Sequence, residues 1–569
     1  MTTTHTDLKE QEIFRLKKEI ERLKKAVKKQ KYGLVWMDVP EAFEDDVENK
    51  LPILREVPEL AISNDDGKPT HILIEGDNYH ALTCLNYTHK GKIDVIYIDP
   101  PYNTGSDGFR YKDKRVLDKF PDGTEVPKDN PFRHSYWLSF MRKRLELSRD
   151  VLKDTGAIFI SIDNNELAQL KLLCNEIFGE KNYVGTLIWR KKEGGGQTDT
   201  YFVTEHEYVL VYCKTPSFKW LDETIPSDEA KLNKEDSKGK FTAVKLAKWG
   251  NTARKQDRPK MYFSIKSPEN KNVYPIAPDG GDGRWRVGKK RMDFIIKNDL
   301  VFWQKKEDRW IPYEKIYYDD EEVKKIKERS ILYEIATTAD GTSELTSIFG
   351  KKDVFENPKP SELVKFFLKY SGTESAMVLD FFAGSGTTAH AVMKLNSEDN
   401  GKRQCVLVTN NEGKIMDEVC YPRIRKVIEG YGEQAGLGGS VKYYRTDFVG
   451  KNNILSADDQ DKIDLAHHAS ELLAIAENTL DQVEKNASFQ VFENKERYTA
   501  VYFQETFEQF EHFVEKIASL EKPVSVYVFS WEKEVFIEEF EDSKSITIKT
   551  IPQPILEIYK QIYNLSVNL

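Results

Sequence analysis

The apolar positions of this chain fall into short runs that end abruptly in glycine, proline or acid. Asp94-Val-Ile-Tyr-Ile-Asp-Pro-Pro-Tyr102 sets four β-formers, Val95 to Ile98, side by side without polar alternation, the pattern of a strand buried on both faces of a parallel sheet. Pro100 and Pro101 end it, because neither can donate to a ladder and each drives the residue before it away from helix. His71 to Asn78 reads as a strand running into a turn, with a helix from Tyr79. Trp137 to Leu152 is an amphipathic helix, Ala157 to Ile162 a strand, and Asp163-Asn-Asn-Glu166 the cap of a further helix to Phe178. Leu187 to Trp189 and Tyr208 to Tyr212 predict a hairpin with a long loop around Lys191-Lys-Glu-Gly-Gly-Gly196. Met377 to Met393 reads as strand, glycine turn and helix, and Gln404 to Thr409 as the next strand. This alternation predicts an α/β fold, a doubly wound and mostly parallel sheet of Rossmann-like type.

The flanks and the middle differ. Ile13, Leu16, Ile20, Leu23 and Val27 repeat at heptad spacing, so residues 8–31 are predicted helical. The pattern dissolves over residues 214–345, and after Gly450 the chain turns acidic and alternates helices with short strands. The expected parts are an N-terminal helix and linker (1–50), two halves of one core (51–213 and 346–450), an inserted domain (214–345) and a small C-terminal α/β domain (455–569). Ser106 to Asp129 is a long polar, basic and aromatic loop beside the first proline motif, and loops of that length at such places are functional or mobile.

Composition narrows the class. With 569 residues and 39% hydrophobic positions the chain needs more than one core. No run approaches the ~20 apolar residues of a membrane span, and Met-Thr-Thr-Thr-His lacks a signal-peptide pattern, so a cytoplasmic protein is expected. Cys84, Cys174, Cys213, Cys405 and Cys420 are far apart, which predicts reduced thiols and neither a metal site nor disulfides. The net charge of −9 hides a basic stretch: residues 231–300 hold 18 Lys and Arg against 8 Asp and Glu. Over residues 214–345, Trp220, Trp249, Trp285, Trp303 and Trp310 are interleaved with Lys and Arg, Arg254, Arg258, Arg284 and Arg286 among them. Such a mixture suits a surface gripping phosphates and stacking on bases, or the core of a small β-rich domain.

Two motifs carry chemistry. Asp99 and Tyr102 follow a buried strand, at the sheet edge where open α/β folds bind ligands, and Asp77 ends a second strand, as a crevice acid or a helix N-cap. Asp380-Phe-Phe-Ala-Gly-Ser-Gly386 turns a strand directly into a helix. It lacks the third glycine of a dinucleotide fingerprint and the lysine of a phosphate loop. Glu412, one strand later, stands where a carboxylate meets a ribose hydroxyl pair. A nucleoside ligand without a pyrophosphate uses both features, and S-adenosylmethionine is one.

Here the chain resembles the β-group amino-methyltransferases of DNA, in which an Asp-Pro-Pro-Tyr motif precedes a Phe-x-Gly-x-Gly motif with a recognition domain between them. The matching residues are Asp99, Pro100, Pro101 and Tyr102, then Phe382, Ala383, Gly384, Ser385 and Gly386 followed by Thr387 and Thr388, with Gly76-Asp77-Asn78 and Asn357-Pro-Lys-Pro360 in support. Phe381 stands where many relatives have proline. The long insert and the terminal additions look most like modification (Mod) subunits of type III restriction-modification systems. The resemblance implies adenine-N6 methylation of duplex DNA by base flipping, with Asp99, Pro100, Pro101 and Tyr102 catalytic. Asp77, Lys359, Asp380, Phe382, Gly384, Ser385, Gly386, Thr387 and Glu412 bind the S-adenosylmethionine cofactor on this reading. Lys191, Lys192, Arg254, Arg258, Arg284 and Arg286 touch DNA, a homodimer forms, and a restriction (Res) subunit supplies helicase and nuclease activity. Cytosine-N4 transfer uses the same geometry, and a non-catalytic recognition subunit that binds the cofactor as an effector is the alternative from another class. Cytosine-C5 transfer needs a cysteine nucleophile, and none lies near the Asp99 loop.

Overall fold

Burial on both faces of one strand organises the structure. The computed structural model describes residues 36, 51–104, 130–194, 201–225, 233–317, 324–449, 459–486, 488–502, 509–529, 540, 545–552 and 555. The predicted helix at 8–31 and the loop at 106–129 lie outside the described residues. Residues 222–328 form one compact unit, and the remaining described chain forms another.

In the larger unit the strands before the insertion are β1 (Leu51–Glu56), β2 (Thr70–Glu75), β3 (Ile93–Ile98), β4 (Leu152–Ile162), β5 (Tyr183–Arg190) and β6 (His206–Cys213). After it come β7 (Met377–Asp380), β8 (Gln404–Thr409) and β9 (Ser440–Val449). They lie in the order β1-β9-β2-β8-β7-β3-β4-β6-β5, with the two-residue strand Ile331–Leu332 beside β5. The six strands from β9 to β4 run parallel. The β5–β6 hairpin and β1 add antiparallel edges.

Alternate side chains of β3 enter different cores. Ile96 and Ile98 pack with residues of α1 (Asn78–Thr88), α2 (Ser135–Val151) and α3 (Leu167–Cys174). Val95 and Tyr97 pack with residues of α5 (Ser361–Ser371), α6 (Thr387–Asp399) and α7 (Tyr421–Glu429), which follow α4 (Thr338–Phe349). Helices therefore cover both faces, the doubly wound arrangement. Each fully buried Val or Ile contributes roughly 1.5–3 kcal/mol. Helix α3 departs from expectation: it starts at Leu167, and Asp163 accepts from the Asn165 N–H in a local turn rather than capping the helix.

Helix Asp459–Glu477 sends Leu472 and Leu473 into the first of these cores. The five-stranded sheet that follows it closes over its own cluster around Phe489, Phe513 and Val526. The five cysteines are buried and free. Among the described residues no helix is long and apolar enough to cross a membrane.

The 222–328 unit has a four-stranded sheet and a core of Leu246, Ile265, Trp285, Met292 and Ile295. Its first strand, Glu223–Ile225, pairs antiparallel with its last, Lys324–Ile326, so chain entry and exit lie side by side. Trp220 falls outside it and stacks on Tyr370 of α5. Replacing residues 222–328 by a short glycine-serine linker should leave a protein that melts in one cooperative transition with its α/β circular dichroism retained. A non-cooperative product would show that the larger unit depends on the smaller for folding.

Candidate active site

Parallel pairing of β7 with β3 solves the placement problem posed by two motifs nearly three hundred residues apart. Val378 lies opposite Val95 and Leu379 opposite Ile96, so Asp380 and Asp99 leave the sheet at neighbouring carboxyl ends. On the other side of β7, the ends of β8 and β2 bring Asn410, Glu412, Gly76 and Asp77 to the same edge. These residues line one cleft of about 530 Å³ together with Asn78, Pro100, Pro101, Tyr102, Lys191, Lys192, Glu207, Lys359, Phe382, Gly384, Ser385 and Thr387. That volume is in the usual range for small-molecule sites.

At the β3 end four charged groups and one phenol interlock. Asp99 Oδ1 accepts from the Tyr102 hydroxyl at 2.7 Å, and Oδ2 accepts from Lys359 Nζ at 2.8 Å. Lys359 Nζ is also 3.4 Å from Glu207 Oε2, and Lys191 Nζ donates to Glu207 Oε1 at 2.9 Å. Burial alone would lower the Lys359 pKa, but Asp99 and Glu207 outweigh it and push it up, so the side chain is a cation. Burial, then Asp99 and Glu207, raise the Tyr102 phenol far above its ordinary range, and it stays neutral. Lys359, expected on the cofactor side, is thus committed to the Asp99 side.

The loop after β3 is held rigid. Asn103 adopts φ 58°, a left-handed conformation that asparagine tolerates better than most residues. Its Nδ2 donates to Glu166 Oε1 at 2.6 Å, and His134 Nδ1 lies 2.7 Å from the same oxygen. Trp137 Nε1 donates to the Pro101 carbonyl at 2.7 Å. Glu166, expected in a helix cap, is a buried anchor for this loop.

The glycine half is braced from behind. Gly384 and Gly386 have φ of 48° and 77°, which side chains rarely adopt. Gly386 does not line the cleft as expected. It faces the helical turn leading into α7 and α7 itself, where a Cβ would stand 3.3 Å from Cys420 Sγ and 3.4 Å from Ile424 Cγ1, so its role is close packing. The buried Arg423 of α7 donates to Ser385 Oγ at 3.1 Å and Thr387 Oγ1 at 2.8 Å, and pairs with Glu344 of α4 at 2.8 Å. Burial raises the Glu344 carboxyl, but Arg423, His390 and Lys394 outweigh it and hold it at about 2. The hydroxyls of Ser385 and Thr387 are therefore spent on the brace. Asp77 caps α1 by accepting from the Tyr79 N–H at 2.7 Å, and it also lines the cleft, so both readings of it hold. Asn78 accepts from the buried Arg144 and donates to the Phe381 carbonyl at 2.9 Å, tying the end of β2 to the glycine turn.

Of the expected DNA-contacting residues, Lys191 and Lys192 line the cleft. The four arginines belong to the 222–328 unit. Arg258 is exposed, and Arg254 is exposed and paired with Asp279. Arg286 is paired with Glu314 at 2.6 Å. Arg284 is a correction: it is 6% exposed, and its Nε donates to the Thr252 carbonyl at 2.5 Å, so its guanidinium is structural. The sequence reading passes over Glu207, Arg144 and Arg423, which no local motif marks, and places Glu166 only in a helix cap.

Asp380 is buried, which pushes its carboxyl up to about 7, although Thr388 Oγ1 at 2.5 Å and the Phe382 N–H at 3.0 Å donate to it. The folded protein thus keeps a proton that the unfolded chain releases near its ordinary value of ~3.9. The resulting stability is complete below that value and is lost as pH rises through about 7. Asp380→Asn should flatten the pH dependence of the melting temperature between about pH 4 and 7. An unchanged slope would show that this carboxyl does not titrate as its burial requires.

A family model described as DNA methylase, for N6 and N4 methyltransferases, matches residues 93–406. The chain is 36% identical over 376 residues to the Mod subunit of the type III restriction-modification enzyme EcoPI of Escherichia phage P1, covering 60% of this chain and 58% of that subunit. It therefore spans less than two thirds of that relative. It is 34% identical over 366 residues to the type II methyltransferase M.KpnI of Klebsiella pneumoniae, covering 61% of this chain and 82% of that protein. Among solved structures, M1.HpyAVI in complex with S-adenosylmethionine aligns with 62% of this chain and 98% of that one, at 11% identity and a TM-score of 0.29. Since the family match runs from Ile93 to Val406, over more than half of its length, the chain belongs to the DNA methylase family.

Proposed function

We propose that this chain is a sequence-specific DNA methyltransferase of a restriction-modification system that methylates adenine N6 in duplex DNA from S-adenosylmethionine. The observation that carries the reading is the single cleft holding Asp99 to Tyr102 beside the glycine turn at Gly384. Family membership and the likeness to the EcoPI Mod subunit and M.KpnI support it.

The residues fit S-adenosylmethionine. The glycine side of the cleft is lined by Asp77, Asp380, Asn410 and Glu412, and Lys191 and Lys359 are committed to carboxylates at the other end. A cationic nucleoside suits that wall, and a polyphosphate does not. When bound, the cofactor supplies an electrophilic methyl group. Glu412 would take the ribose hydroxyls, and Asp77, Asp380, Phe382, Gly384, Ser385 and Thr387 shape the remaining wall.

An exocyclic amino group is a poor nucleophile because its lone pair is delocalised, so positioning is the catalytic need. Asp99 and the Pro100 carbonyl accept the two amino hydrogens, which directs the nitrogen lone pair at the methyl group. Tyr102 stacks on the base, which must leave the duplex to reach the cleft. Lys359 orients Asp99, Lys191 holds Glu207, and Lys192 approaches the DNA backbone. Target reading belongs to the 214–345 segment, whose compact part is 222–328. There Trp249 is 61% exposed with Lys245 Nζ 4.4 Å from its ring centre, a pairing suited to base and phosphate. As a type III modification subunit the chain would act in the cytoplasm as a homodimer with a restriction subunit. A cytosine N4 amino group presents the same hydrogens to Asp99.

Asp99→Ala should lower methyl transfer by about 10²–10⁴-fold or more while S-adenosylmethionine binding persists. Normal turnover by that variant would overturn the assignment. Nucleoside analysis of DNA treated with the wild-type chain should find N6-methyladenine. N4-methylcytosine would change the acceptor, and no incorporation at all would favour a non-catalytic recognition subunit. Exchanging residues 222–328 for those of a relative with another target should move the sequence preference, and an unchanged preference would place reading elsewhere.

A further inference from the structure

Asp99, on the reading just proposed, must accept an amino hydrogen, and each of its oxygens already accepts from one donor, which weakens the lone pair left for the base. The Tyr102 hydroxyl holds Oδ1 at 2.7 Å and Lys359 holds Oδ2 at 2.8 Å. Each of those donors has the same second acceptor in reach. Glu207 Oε2 lies 3.2 Å from the Tyr102 hydroxyl and 3.4 Å from Lys359 Nζ. A phenol has one hydrogen and can serve only one carboxylate at a time. At these distances it serves Asp99.

We propose that Glu207 is a positioning residue that receives the Tyr102 hydroxyl and the larger share of Lys359 when a target base engages Asp99. The exchange frees Asp99 lone pairs without leaving a buried hydroxyl or ammonium unpartnered, an outcome that is costly in a dry site. Glu207 is placed for this by β6, one residue into the strand, and is 8% exposed. Lys191 fixes its other oxygen at 2.9 Å, so the receiving oxygen is held in place while its partners move. The charged and titratable groups facing it are Lys191, Lys359, Tyr102 and Asp99. Burial raises the Glu207 carboxyl, but Lys359 and Lys191 outweigh this and hold it below the ordinary range. It is thus an ionised acceptor throughout the neutral range.

The test uses the full chain with duplex DNA carrying its target, in single turnover at saturating S-adenosylmethionine. Glu207→Gln should slow transfer about ten- to a hundredfold, with the affinities for S-adenosylmethionine and DNA close to wild type and the fold retained, although the unbalanced lysines lower the melting temperature. In a Tyr102→Phe background, with no hydroxyl to relocate, the effect of Glu207→Gln should shrink by at least about threefold. A Glu207→Gln rate close to wild type overturns the proposal. So does a loss matched by weaker cofactor binding, or an effect of the same size in both backgrounds. Should Glu207→Gln not fold, Glu207→Asp retracts the carboxylate by one methylene and is judged by the same outcomes. A wild-type chain that methylates no DNA overturns the parent reading and this one with it, whereas an active wild type beside an unaffected variant overturns this one alone.

Discussion

Charge neutrality in a confined space is the constraint on which the Asp99 end of the cleft depends. Asp99 and Glu207 are carboxylates at the edge of a closely packed sheet, and such groups are tolerated out of water only when paired. Lys359 and Lys191 supply the pairing, and the four residues come from four different segments. The loop after β3, the end of β5, the start of β6 and the turn before α5 therefore hold one another in place. Removing any one charge would leave the rest unbalanced, so the cluster positions Asp99 from outside its own loop. It also gives the antiparallel β5–β6 hairpin a purpose, since that hairpin carries Glu207 and Lys191 to the end of a parallel sheet.

A second lock lies behind the glycine turn. Arg423 reaches from α7 to Ser385 and Thr387 and is neutralised by Glu344 of α4. Arg144, from α2, orients Asn78, whose amide holds the Phe381 carbonyl. Both arginines are fully buried, Arg423 donating to Ser385, Thr387 and Glu344 and Arg144 to Asn78 and the Phe140 carbonyl. Sheet register brings the motifs together and these braces fix their shape, so chain connectivity matters little. That is why a whole compact unit can sit between β6 and β7, entering and leaving through one pair of adjacent strands.

What was legible in the sequence was local. Val95 to Ile98 form a fully apolar run, two prolines stop it, and Gly384 with Gly386 announce a tight strand-to-helix turn, so the sheet and both motifs could be placed from neighbours alone. Glu207 sits in His206-Glu-Tyr-Val, where a charged residue next to a strand reads as solvent-facing. Glu166 three residues after Asp163 reads as a capping pair, and only the fold shows its carboxylate turned onto Asn103 and His134. Arg284 fails in the other direction. In Gly283-Arg-Trp-Arg286 it looks like a phosphate contact, but Trp285 beside it fills a core and the arginine is drawn in to the Thr252 carbonyl. In each case the role is set by partners distant in sequence.

The two halves of the cleft also sense each other electrostatically. Burial is the main cause of the high Asp380 pKa, but the charge of Asp99 adds to it, although the two residues are 281 positions apart in the chain. Asp380 near neutrality is therefore poised between a protonated form, which suits a cleft without a cation, and an ionised form, which a cation between the two strand ends would favour. A positively charged ligand in the glycine half would draw the proton off Asp380 and strengthen its own binding. The same carboxylates would hold an uncharged product of that ligand less firmly.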